Sequence, residues 1–306
     1  MHTDTLLVEL GTEELPPKAL KSLGLAFRDG IVAGLAQRDL AHGEVQWFAT
    51  PRRLAVLILE VQRQAPEKIV EVLGPPLDRA RDDAGNWTSA TVGFAKKQGV
   101  EPELLQSIDT PKGPRLGLRH VAPGVTSRDV LNAVVSASVQ DLPIPRRMRW
   151  GGSREEFVRP VHWVVAMLGR DCDHGNILGL ATGNTTRGHR FLGNEVITLE
   201  RPERYVEALA DAHVVASFEQ RRQMIVEQVQ AQANALGATA VIAPDLLDEV
   251  TGLVEWPVAL TGSFEEQVSP GAAGSAGVLD EGAPEVFHVV DNAGRLKPHF
   301  IAVATL

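Results

Sequence analysis

Arginine is the residue type whose placement in this sequence offers the most chemistry. Between Arg146 and Arg159 the chain reads RRMRWGGSREEFVR, five arginines against two glutamates. A second cluster is Arg187-Gly188-His189-Arg190, and Arg52-Arg53 follow Pro51. A guanidinium stays charged at any working pH, and its planar fork matches phosphate oxygens. Arg52, Arg53, Arg146, Arg147, Arg149, Arg187 and Arg190 are therefore candidate contacts to an RNA backbone, and Trp150 is a candidate platform for an unpaired base. The competing reading is structural. Pro51 and Pro160 would fix loops while the arginines beside them, Arg149 and Arg159 above all, pair with Glu9, Glu13 or Glu156.

Self-sufficient catalysis has little support. The sequence has no GxxxxGK[ST] phosphate loop, no GxSxG elbow, no HExxH and no Cys-x-x-Cys. Glu13-Glu14 and Glu155-Glu156 are adjacent carboxylates, more often helix starts or ion-pair partners than acid/base pairs. Cys172 and His174 do not complete a tetrahedral metal set. A single cysteine also excludes an internal disulfide. No catalytic residue and no metal site are expected.

The 306 residues are enough for two ordinary domains. Hydrophobic residues make up 44% and charged residues 23%, as in soluble globular proteins. No apolar run is long enough to cross a bilayer, and no basic segment precedes the first apolar stretch, so a cytoplasmic protein without membrane contact is expected. A net charge of −9 confines any RNA contact to local patches.

The elements that must position these arginines follow from pattern. Residues 5–10 predict a buried strand, and Pro17 opens an amphipathic helix to about residue 38. Strands are predicted at 47–49 and 54–59 around Thr50-Pro51-Arg52-Arg53, and at 69–73, stopped by Gly74-Pro75-Pro76. Residues 88–98 and 130–139 predict helices, the second closed by Pro143-Ile144-Pro145. Residues 115–121 and 161–168 predict strands, with 176–180 pairing nearby. Helices follow at 202–211, at 217–236 with Ser217 and Gln220 placed for a capping box, and at 244–252, then an extended 256–260. Strands and helices mix without regular βαβ alternation, which predicts α+β rather than a doubly wound sheet.

Eight stretches taken together resemble one family. GTEELPPKAL (11–20), WFATPRRLAV (47–56), the GP at 74–75 and GFAKKQG (93–99) stand in the order found in bacterial glycyl-tRNA synthetase β subunits. LPIPRRMRWG (142–151), FVRPVHW (157–163), TRGHRF (186–191) and LVEWPV (253–258) continue that order. The resemblance implies a subunit that binds tRNA(Gly) and assembles with a separate α subunit into an α2β2 heterotetramer. The α subunit would make the adenylate, so ATP, Mg²⁺ and glycine belong to the partner and no cofactor to this chain. It also implies a body like the B3/4 domain of phenylalanyl-tRNA synthetases over residues 1–266, with a subdomain boundary near 193–202. The family's HD-like and anticodon-binding domains would lie beyond Leu306. An inert fragment and an editing hydrolase are the alternative readings. Editing is disfavoured because glycine is the smallest amino acid and larger ones can be excluded by size.

Residues 267–286 depart from the family. Where it continues with VPxEAL and then HQKYF, this chain has QVSPGAAGSAGVLDEGAPEV, and family-like text resumes at 287–306. Codons can be chosen for Asp280–Phe287 that give MKEHQKYF when read one base later. Two compensating one-base shifts are therefore inferred, and poor packing is expected over 268–286 because few large apolar groups there offset ordering entropy.

Overall fold

The computed structural model describes residues 2–193, 195–264 and 285–305. It is α+β, and its contacts divide it into two compact units: Met1–Arg63 with Ser127–Leu306, and Gln64–Thr126. Leu199, Tyr205 and Leu209 fill the same core as Leu7 and Val165, so the chain stays in one unit across these residues.

The first unit opens with β1 (Thr3–Thr12), α1 (Pro17–Ala36), β2 (Val45–Thr50) and β3 (Arg53–Gln62). In β2 and β3, Thr50 faces Arg53, so Pro51-Arg52 forms the tip of a tight hairpin. The second unit follows with β4 (Lys68–Pro76), α2 (Ser89–Gln98), β5 (Gln106–Ile108) and β6 (Arg115–Ala122). Its sheet has the order β4-β6-β5, with a small core of Ala80, Ala95, Leu105 and Leu116. β4 runs on through the Gly-Pro-Pro predicted to stop it. As an edge strand it tolerates missing N–H donors, and its register shifts between Leu73 and Pro76.

The first unit resumes with α3 (Ser127–Gln140), β7 (Met148–Arg149), β8 (Glu156–Phe157), β9 (Val161–Leu168), β10 (Asn176–Ile177) and β11 (Leu180–Gly183). After these come β12 (Thr185–Arg187), β13 (Val196–Thr198), α4 (Tyr205–Asp211), α5 (Phe218–Ala235), β14 (Thr239–Val241) and α6 (Pro244–Thr251). The described chain closes with β15 (Ala259–Ser263), β16 (Val286–Val290) and β17 (Leu296–Val303). Ser217 caps α5 by accepting from the Gln220 amide at 3.2 Å, as its position predicted.

The main sheet has the order β10-β11-β9-β1-β3-β2, with β1 antiparallel to both β3 and β9. Strand alternation sends Leu6, Val8 and Leu10 to one face and Leu7, Glu9 and Gly11 to the other. The first face lies under α1, whose buried stripe is Leu20, Leu23, Phe27, Ile31 and Leu35. α3 packs on α1, and it can approach because Gly34 is bare: a Cβ there would stand 2.7 Å from Val134. The second face carries Leu7, Ala55, Leu57, Val165 and Met167 against Tyr205 and Leu209 of α4. A further core joins Ile225, Val229 and Ala233 of α5, Leu247 and Val250 of α6, and Phe287, Val289 and Ile301.

The family-like text expected at 287–306 thus closes the sheet β14-β16-β17-β15, pairing with strands that lie before residue 264. Of 268–286, only Glu285 and Val286 are among the described residues; the packing expected for the rest lies outside them. No helix among the described residues is long and apolar enough to cross a membrane.

Candidate nucleic-acid interface and the buried network beside it

The arginine-rich stretch forms a hairpin. β7 pairs with β8 so that Arg149 faces Glu156, and the intervening loop turns through Gly151 at φ +59°. Trp150, half-buried, and Arg154, exposed, sit on this loop. Arg149 donates from Nε to Glu156 at 2.5 Å across an exposed pair. Arg147 donates from Nη2 to the Gln140 carbonyl at 2.7 Å, which holds it at the end of α3.

These side chains border an open groove of about 820 Å³. One wall is Ser136, Val139 and Gln140 of α3; the opposite wall carries Arg147, Arg149 and Arg154 with Glu155 and Glu156. The β10–β11 turn closes the end with Leu178 and Gly179, both at positive φ, the backbone of a two-residue hairpin. Arg146 is exposed beside the groove but does not line it. Arg146 and Arg154 make no ion pair among the described residues. Both are therefore free to meet an anion.

The remaining candidates lie elsewhere on the same unit. Arg52 is half-buried at the β2–β3 tip, 6.0 Å from the Trp163 ring. Arg187 is exposed and stacks over the same ring at 5.4 Å. Arg190 is exposed, 4.0 Å from Glu14. Of the paired glutamates, Glu13 shares a hydrogen bond with His162 at 2.7 Å and Glu156 is the ion-pair partner of Arg149. Arg159 donates to the backbone carbonyls of Glu14 at 3.1 Å and Val158 at 2.9 Å, not to the carboxylates named for it by the competing reading.

Arg53 requires a correction. It is 0% exposed, so no phosphate can reach it. Its Nη1 lies 3.5 Å from Glu9 and donates to the Arg187 carbonyl at 2.9 Å. Its Nη2 lies 3.2 Å from Glu255, and its Nε donates to Thr50 at 3.1 Å. The physical reason is alternation. Arg53 shares the inward face of β3 with Ala55 and Leu57, opposite Gly11, and a charge placed there must find carboxylates.

Glu9 is buried with it. One oxygen accepts from the Trp163 indole at 2.5 Å and from Thr186 at 2.6 Å; the other accepts from the Tyr205 phenol. Glu255 accepts from Thr50 at 2.8 Å. Burial alone would lower the Arg53 pKa, but the Glu255 and Glu9 carboxylates outweigh it and hold the guanidinium above its ordinary value. Burial likewise would raise Glu255, yet Arg53 and the Thr50 hydrogen bond keep its carboxyl below the usual range. Burial and the neighbouring Glu9 push the Tyr205 hydroxyl well above ordinary tyrosine.

Sequence reasoning also missed Arg221, fully buried at the start of α5. It donates to the carbonyls of Ala49 (2.6 Å), Val215 (2.9 Å) and Thr251 (3.2 Å), tying α5 and the end of α6 to β2. Burial pushes its pKa down to about 9.

The chain belongs to the glycyl-tRNA synthetase beta subunit family, whose model matches residues 6–306. It is 47% identical over 306 residues to the glycine–tRNA ligase beta subunit of Chromohalobacter salexigens. It is 44% identical over 306 residues to that of Pseudomonas aeruginosa and 43% over 307 residues to that of Hahella chejuensis. In each case the whole chain is matched and spans 44% of the relative's length. Four of the eight stretches that carried the resemblance meet at the buried network. Thr50 and Arg53 come from 47–56, Trp163 from 157–163, Thr186 from 186–191 and Glu255 from 253–258, while Glu9 stands just before 11–20.

Proposed function

We propose that this chain acts as the N-terminal part of the β subunit of a glycine–tRNA ligase, contributing tRNA contacts and α-subunit assembly to ATP-dependent glycylation of tRNA(Gly). The observation that carries this reading is the family match along nearly the whole chain. The open groove with Arg147, Arg149 and Arg154 supports the RNA part, because a strand backbone needs a charged trough and not an enclosed cavity. ATP and Mg²⁺ belong to the α subunit in this reading, the assembly is α2β2, and its place is the cytoplasm. This chain supplies no reacting group; it positions tRNA while the partner activates glycine.

The test is co-purification of the chain with the cognate glycine–tRNA ligase α subunit, followed by titration with tRNA(Gly). A complex that survives gel filtration and binds tRNA(Gly) more tightly than an unrelated tRNA is expected. No association with α, together with equal affinity for any RNA, would overturn the proposal.

A further inference from the structure

On the first unit, away from the arginine groove, a small recess of about 50 Å³ is lined by Arg52, His189, Arg190, Glu255 and Trp256 among others. A single water needs roughly 10–15 Å³ of such space, so the recess has room for a compact group. Three donors line it. The Nε of Arg52 is buried and has no hydrogen-bond partner among the described residues, a rare condition for a buried polar atom. His189 is only 5% exposed; its Nδ1 accepts from the amides of Phe191 and Leu192, both at 3.2 Å, which leaves Nε2–H as the ring's donor. Arg190 makes a long contact to Glu14 at 4.0 Å and lies over one side of the Phe191 ring, 5.8 Å from its centroid. Burial lowers the pKa of both Arg52 and His189, and the Glu255 carboxylate, which also lines the recess, offsets part of that loss. A bound oxyanion would repay both donors.

Beside the recess is a larger hollow of about 470 Å³ that shares Glu14, Pro51, Phe191, Leu253 and Thr305 with it. Phe191 is 70% exposed, an unusual state for a phenylalanine whose backbone is pinned by His189. An aromatic face fixed next to an anion recess is the arrangement that seats a base beside its own phosphate. Glu14 and Glu285 stand on the wall of the hollow with Arg159, so a second or third phosphate there would meet two carboxylates against one guanidinium.

We propose that the Arg52–His189–Arg190 recess and the Phe191 ring together bind one unpaired, singly phosphorylated nucleotide of an RNA strand, phosphate in the recess and base on the ring. This rests on the RNA-binding reading above and adds a site to it. Base pairing is excluded by the geometry, since a stacked duplex offers no free face to Phe191. His189 acts as a positioning residue for the ring and as a donor.

The test is binding of a single-stranded RNA tetranucleotide to the full chain, read by intrinsic tryptophan fluorescence, with the same sequence in a duplex, a free nucleoside monophosphate, ATP and inorganic phosphate as further probes. Phe191→Ala should weaken tetranucleotide binding about 5- to 100-fold, the range of one lost base stack, and leave duplex binding unchanged. Arg52→Gln should weaken the tetranucleotide and inorganic phosphate together. ATP should bind more weakly than the monophosphate. Because Arg52 is half-buried, Phe191→Ala, which removes a ring exposed to 70% and no buried charge, keeps the test valid if Arg52→Gln misfolds. Unchanged tetranucleotide affinity in Phe191→Ala, with tRNA binding still sensitive to Arg147 and Arg154, would overturn the recess alone. A monophosphate that binds as tightly as the tetranucleotide would overturn the assignment to an RNA strand. Absence of any RNA binding by the unaltered chain would overturn the RNA reading itself.

Discussion

The guanidinium of Arg53 lies 3.2 Å from the carboxylate of Glu255, inside the protein, across 202 residues of chain. Glu9 holds the other side of the same guanidinium, so one arginine ties the second face of the main sheet to the segment that follows α6. Breaking a buried pair from one side leaves a charge without compensation and costs about 3–5 kcal/mol. Arg53→Met should lower stability by that amount in urea unfolding. Adding Glu255→Gln should recover part of the loss, because one of the two orphaned carboxylates is then neutral. A loss below about 1 kcal/mol for Arg53→Met, the scale of an exposed pair, would show that the network is not what holds these segments together.

Two members of the network set a pH window. The folded Glu255 pKa lies below the unfolded value of about 4.3, so its contribution is present above that pH and is lost as pH falls through the lower folded value. The folded Tyr205 pKa lies above the unfolded value of about 10, so its contribution is present below that pH and is lost as pH rises beyond it. The melting temperature should be flat between about pH 5 and 9 and fall on both sides. Tyr205 is the sole tyrosine of the chain, so phenolate absorbance reports it directly. Phenolate should appear only together with unfolding; ordinary titration near pH 10 in a still-folded protein would contradict the burial of this hydroxyl.

Gly11 stands where the Trp163 ring covers β1, and a Cβ added there would lie 1.8 Å from the indole. Gly11→Ala must therefore displace Trp163, whose Nε1 holds Glu9. The expected cost is about 1–3 kcal/mol or more, the range for overpacking a core. A red-shifted Trp163 emission should accompany it. Full stability in this variant would mean that the indole does not rest on the strand.

Much of the fold was legible because its long elements carry period. The α1 stripe, the β2–β3 hairpin around Pro51 and the Ser217 cap all follow from residue order. The two- and three-residue strands β5, β7, β8, β12, β13 and β14 were not, since no alternation can show in so few residues. The arginine hairpin could be found as a cluster, but its division into paired Arg149 and free Arg154 depends on which side chains face across β7 and β8. Arg53 was misread because neighbouring arginines look alike in a motif: Arg52 sits at the tip of the turn, while Arg53 is the first inward residue of β3. A signal did exist. Glu9 interrupts an otherwise apolar run in TLLVELG, on the same face as Leu7 and Gly11, and a carboxylate there demands buried donors. Arg221 carried a similar one, since it heads the buried α5 stripe of Ile225, Val229 and Ala233 at four-residue spacing.

The central claim is that the groove bearing Arg147 and Arg154 meets RNA backbone, and the salt dependence of tRNA(Gly) binding tests it most directly. Each phosphate contact contributes a slope of roughly −0.7 to −0.9 in log K against log salt. Arg147→Ala with Arg154→Ala should flatten the slope by about 1 to 2 units and weaken binding, with the melting temperature nearly unchanged because neither side chain is buried. An unchanged slope accompanied by a large loss of stability would contradict the account, and would show these arginines to be part of the scaffold.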